Sequence, residues 1–108
     1  MSKRHPQTDA IRLQTTRTNE KEHSTPLFLT SSFTYDSAED MAAAFADDSL
    51  DVNIYSRFSN PTVDEFINKI AALEVAEDGI ATGTGMAAVF STFMTFLSKG
   101  DHIISASA

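Results

Sequence analysis

Apolar residues recur at Val63, Phe66, Ile67, Ile70 and Leu73, the spacing of one helical face. The opposite face carries Asp64, Glu65, Asn68 and Lys69, so the pattern predicts an amphipathic helix with one buried stripe. Its start is marked by Asn60-Pro61-Thr62. Pro61 fixes the first turn, Thr62 can cap, and Glu65 completes a T-x-x-E box. Gly79 stops this segment or the loop after it. From Met86 to Leu97 the pattern changes: Met86, Ala87, Val89, Phe90, Phe93, Met94, Phe96 and Leu97 leave almost no polar face. A helix of that kind is normally buried on most sides, and Lys99 and Gly100 close it. Ile80-Ala81-Thr82 before it and residues 101–106 after it read as short strands. Strand, helix and strand make a βαβ unit and imply a parallel sheet.

The first sixty residues are less periodic. Residues 1–24 are polar and read as an arm, with a short helical turn near Asp9–Leu13. The run from Thr25 to Phe33 is extended in character, because Pro26 disfavours helix at Thr25. It reads as a short strand or a wrapping segment. Ser37-Ala38-Glu39-Asp40 resembles a capping box that opens a helix to about Ala46. Glu39 and Asp40 sit where the helix dipole favours acids. Asp47-Asp48-Ser49 ends it.

Composition narrows the function. The 108 residues fit one domain or a piece of a larger one. With no Cys, and with His5, His23 and His102 far apart, neither a disulfide nor a metal site is expected. No apolar run is long enough to span a bilayer, and Met1–Pro6 lacks a signal-peptide core, so the expected location is the cytoplasm. The formal net charge is −7. Residues 22–108 hold only Arg57, Lys69 and Lys99 against thirteen acids, which argues against a nucleic-acid module. It also makes Arg57 conspicuous.

Two stretches carry candidate chemistry. Gly83-Thr84-Gly85-Met86-Ala87-Ala88 precedes the apolar helix. It formally fits the dinucleotide fingerprint, but the next strand ends in Ser105-Ala106-Ser107-Ala108, without the ribose-binding acid, and no Lys follows for a P-loop. Two readings fit it: an anion site built from helix N-terminal N–H groups, or a tight turn that needs glycine and binds nothing. Tyr55-Ser56-Arg57 offers a phenol and a guanidinium, which in an extended segment share one side. They can meet one phosphate, or Arg57 can pair with a neighbouring acid.

Together these stretches resemble the pyridoxal-phosphate (PLP)-dependent enzymes of cysteine and methionine metabolism. The resemblance is carried by Thr25-Pro26, Thr30-Ser31-Ser32-Phe33, Tyr55-Ser56-Arg57-x-x-Asn60-Pro61-Thr62, Leu73-Glu74, Gly85-Met86-Ala87-Ala88 and Gly100-Asp101-His102. It implies an α/β fold: an N-terminal arm and dimer-contacting segment over residues 1–60, then the first βαβ portion of a fold type I (aspartate aminotransferase-like) large domain over residues 61–108. It implies pyridoxal 5'-phosphate as cofactor. Gly85 and Met86 would hold its phosphate through backbone N–H groups, while Tyr55 and Arg57 would reach the phosphate of the neighbouring subunit. Tyr55 would also lie beside the substrate and assist proton movement. The arm would wrap the partner in a homodimer or homotetramer.

Thr84 departs from the family's usual Ser but keeps the hydroxyl. The family's cofactor-stacking aromatic residue, its Asp and Lys for the cofactor, and its substrate-binding Arg fall outside these 108 residues. The resemblance therefore implies the N-terminal part of a longer enzyme, inactive alone. The expected reaction is γ-replacement on an O-acyl-homoserine by a sulfur nucleophile. Methionine γ-lyase and cystathionine γ-synthase or lyase are the alternatives, and a non-catalytic interaction or assembly module is the alternative of another class.

Overall fold

The computed structural model describes residues 5–13, 17–47, 50 and 52–107. Lys3, Arg4, Asp48, Ser49 and Ala108 lie outside the described residues. Four helices form: α1 (Pro6–Arg12), α2 (Ala38–Ala46), α3 (Pro61–Glu74) and α4 (Gly85–Phe96). Each starts at a side-chain cap. His5 caps α1, with Asp9 in its first turn and Arg12 in its last, both favourable to the helix dipole. Ser37 Oγ accepts from the Asp40 N–H at 3.0 Å to open α2. Thr84 Oγ1 accepts from the Ala87 N–H at 3.1 Å to open α4.

The start of α3 corrects the expected cap. Asn60, not Thr62, is the capping residue, and its side chain accepts from the Thr62 N–H at 3.0 Å. The cause is Pro61 at the first helical position, which forces the residue before it into extended backbone and makes that residue the cap. Thr62 is thereby freed for a different bond, and Glu65 lies too far into the helix to complete a capping box.

At its other end α3 closes on Val75, which holds φ 57° and ψ 35°. The N–H of Ala76 returns to the Ala71 carbonyl at 2.8 Å, a Schellman-type closure. A β-branched residue is strained in left-handed backbone, and Val75 is 91 % exposed, so its side chain loses little by removal. Val75→Gly in the full-length protein should therefore stabilise it by about 1 kcal/mol. A melting temperature unchanged or lowered would contradict this.

The apolar stripe of α3 does not face inward. Among the described residues the buried side chains are Ala44, Asn60 and Glu65. Phe66 is 57 % exposed while Glu65 is 5 % exposed. The arm, with α1, packs on the polar side of α3 and leaves the apolar side open. The helix α4 has no buried residue at all. Two of its hydroxyls nonetheless bond within the helix: Thr92 donates to the Ala88 carbonyl at 2.9 Å and Thr95 to the Ser91 carbonyl at 2.8 Å.

The two strands expected around α4 do not form a ladder among the described residues. Residues 80–82 and 101–106 have no strand assignment, and Ile104 is fully exposed. A strand exists only through hydrogen bonds to a neighbour, and none is paired to either segment. Among the described residues no helix is long and apolar enough to cross a membrane.

Candidate functional site

The site is built on an irregular antiparallel ribbon between residues 26–35 and 53–62. The Thr62 hydroxyl donates to the Pro26 carbonyl and accepts from the Phe28 N–H, both at 2.9 Å. Asn60 Nδ2 donates to the Phe28 carbonyl at 3.0 Å. The Ser56 N–H reaches the Ser31 carbonyl at 2.9 Å, and the Phe33 N–H reaches the Ile54 carbonyl at 3.3 Å. The Tyr35 hydroxyl donates to the Asn53 carbonyl at 3.0 Å. One bridge in this ribbon, Ser32 to Tyr55, has regular antiparallel geometry. The extended run from Thr25 to Phe33 is thus neither a full strand nor free.

Tyr55 and Arg57 come together by a different route from the one the sequence implied. The segment is a turn rather than extended chain: the N–H groups of Phe58 and Ser59 bond the Tyr55 carbonyl at 2.8 and 3.2 Å. The turn folds the Arg57 guanidinium back over two rings. Its Cζ lies 5.5 Å from the Tyr55 ring centre and 5.2 Å from that of Phe58, within cation–π range. The two rings meet edge to face at 6.2 Å. Among the described residues no carboxylate pairs with Arg57. Its five N–H donors keep their fork available to an oxyanion.

Gly85 and Met86 occupy the first two positions of α4. Their N–H groups have no intrahelical acceptor, and the dipole there favours an anion. Gly83 and Gly85 are not in left-handed backbone, and an added Cβ would meet nothing within 4 Å at either position. The tight-turn explanation would need such backbone or a close neighbour within the chain. Among the described residues neither is found at these two glycines.

Arg57 and Gly83 both line one open cleft of about 680 Å³, together with Asn60, Asp64, Asn68 and Asp78. Tyr55, Gly85 and Met86 do not line it. Among the described residues no group of three or more His, Cys, Asp or Glu can hold a metal ion. Two contributors were missed by the sequence reading. Phe58 supplies the second ring under Arg57, and its place one residue after the arginine was the available signal. Asn60 ties the ribbon to the helix, a role hidden because one of its bonds goes to Phe28, 32 positions earlier.

A family profile described as Cys/Met metabolism PLP-dependent enzyme matches residues 7–108. An O-succinylhomoserine sulfhydrylase of Pseudomonas aeruginosa is 46% identical over 95 residues, covering 88% of this chain and 23% of the relative. An L-methionine gamma-lyase of Fusobacterium nucleatum is 46% identical over 80 residues, covering 74% of this chain and 20% of the relative. Among solved structures, a Campylobacter jejuni protein described as an O-acetylhomoserine (thiol)-lyase, carrying a pyridoxyl-lysine monophosphate, superimposes with a TM-score of 0.79 at 30% identity. It covers 92% of this chain and 24% of its own. The chain spans about a quarter of the length of the relatives it matches.

Proposed function

The chain belongs to the Cys/Met metabolism PLP-dependent enzyme family, and on that premise we propose that it is the N-terminal part of an O-acyl-homoserine sulfhydrylase. The cofactor fits the residues present. Its phosphate is a dianion, and the unsatisfied N–H groups of Gly85 and Met86 beside open space suit such a group. Arg57, unpaired with any described carboxylate, suits it equally. That Arg57 is held on two rings, in a largely acidic chain, is the observation that carries the phosphate reading.

When bound, PLP supplies an electron sink for carbanion chemistry on an amino-acid substrate. The chain's own residues bind and orient. Gly85 and Met86 fix the phosphate of their own subunit. Tyr55 and Arg57 reach that of the neighbour, the division that the family resemblance implies. The Tyr55 hydroxyl lies beside the substrate and holds or relays a proton. The assembly is a homodimer or homotetramer acting in the cytoplasm, with the arm of residues 1–60 on the partner. Residues 61–108 begin the α/β domain, where residues 80–82 and 101–106 become strands once neighbouring strands of the fold type I sheet are present.

The substrate class rests on the sulfhydrylase likeness, which covers more of this chain than the methionine γ-lyase likeness does. The test is the full-length protein assayed with O-succinyl- and O-acetylhomoserine plus sulfide, and separately with methionine. Homocysteine formed faster than methanethiol is the expected result. Methanethiol as the dominant product would replace this reading with the lyase.

A further inference from the structure

The hydroxyl of Ser56 lies between Tyr55 and Arg57 in sequence and is the hub of the ribbon. It donates to the Thr30 carbonyl and accepts from Asn60 Nδ2 at 2.9 Å. Asn60 sends a second bond from the same amide nitrogen to the Phe28 carbonyl at 3.0 Å. Its Oδ1 accepts from the Thr62 N–H at 3.0 Å. The side chain is 5 % exposed, so these bonds are not interchangeable with water at no cost.

A helix cap needs only the oxygen, and Ser, Thr or Asp would serve. What those residues lack is a neutral amide that accepts at one end and donates twice at the other. The two donated bonds therefore explain why Asn stands here: one reaches Ser56, beside Arg57, and the other ties the turn to the facing segment at Phe28. The turn at residues 55–58 is held on one side by the Ser56 N–H on the Ser31 carbonyl. On the other it is held by Asn60.

We propose that Asn60 is a positioning residue for the phosphate-binding pair: its amide nitrogen locks Ser56, and the locked turn presents Tyr55 and Arg57 as one preformed unit. This rests on the cofactor-phosphate reading above. The side-chain bonds of Asn60 all go to protein groups, Phe28, Ser56 and Thr62. It acts by removing the motion that Arg57 would otherwise lose on binding.

The test measures affinity in full-length protein stripped of cofactor, titrated by absorbance with PLP and, separately, with pyridoxal, which lacks the phosphate. Asn60→Ser keeps a capping oxygen, adds no charge and removes the amide donors. Ser56→Ala breaks the same link without touching the cap. Each variant should raise the Kd for PLP about tenfold while moving the Kd for pyridoxal less than about twofold, and the double variant should fall short of the product of the two effects. A general packing defect would weaken both ligands alike, and that result overturns the inference, as does an unchanged Kd for PLP in both variants. Arg57→Ala is the reference. If it weakens PLP and the Asn60 and Ser56 variants do not, the phosphate reading stands and this inference alone falls. If Arg57→Ala leaves the PLP Kd unchanged, the phosphate reading fails, and the inference with it.

Discussion

Isolated as a 108-residue polypeptide, the chain should sediment as oligomers or aggregates, and the amides of α4 should exchange with opening free energies near zero. The reason is surface. The accessible area is 9576 Å², against about 5,900 Å² for a compact monomer of this mass. The radius of gyration is 17.8 Å, against about 13 Å for a compact chain of this length. Phe90, Phe93, Met94 and Phe96 of α4 all stand exposed, and so does much of the apolar stripe of α3. An apolar face of that extent is covered by association when nothing else covers it. The internal hydroxyl bonds of Thr92 and Thr95 lower the polar cost of burying α4. Analytical ultracentrifugation and hydrogen exchange decide the matter. A monodisperse monomer with strong protection across residues 86–96 would show a self-sufficient unit and refute the expectation.

In the full-length enzyme, Arg57→Ala should weaken PLP retention by about 2–4 kcal/mol, the loss of a bidentate charge-assisted contact. Activity should fall with it at limiting cofactor. Because Tyr55 and Arg57 are proposed to serve the neighbour's site, the defect should act in trans. A subunit with Arg57→Ala can be mixed with one that keeps Arg57 but lacks the cofactor-anchoring lysine. One of the two sites in each mixed dimer is then complete, and activity should return. Verified heterodimers without any recovery would place Arg57 in its own subunit's site instead.

Local signals in the sequence proved reliable where the physics is local. Ser37 and the end of α2 near Ala46 were legible, as was α4, shifted by one residue. The cap of α3 was misplaced by two positions because Thr62 fits a capping box, while the constraint that decides is the backbone of the residue before Pro61. Tyr55 and Arg57 were legible as a pair of residue types but not as geometry. A turn, not an extended run, folds Arg57 onto Tyr55 and Phe58. Periodicity assigned the apolar stripe as the inner face of α3, yet the arm packs on the other face, where Glu65 is buried. That preference belongs to contacts between distant residues, which no window along the chain contains. The strands at residues 80–82 and 101–106 fail for the same reason, since their pairing partners are not among the described residues.

The ribbon also sets an order of events. It joins positions 32 and 36 residues apart, Asn60 to Phe28 and Thr62 to Pro26. Closing a loop of that length costs about 3 kcal/mol of chain entropy before any contact repays it. The capped helix α2 lies inside the loop and forms without it. During synthesis the helices should therefore precede the ribbon, and the Arg57 clamp should be among the last features to assemble. Stopped-flow refolding in which helix signal and Arg57-dependent PLP binding rise together would contradict that sequence. If the order holds, a nascent subunit cannot capture cofactor through this segment until residues 26–62 have closed, so PLP selects for finished ribbons rather than guiding their formation.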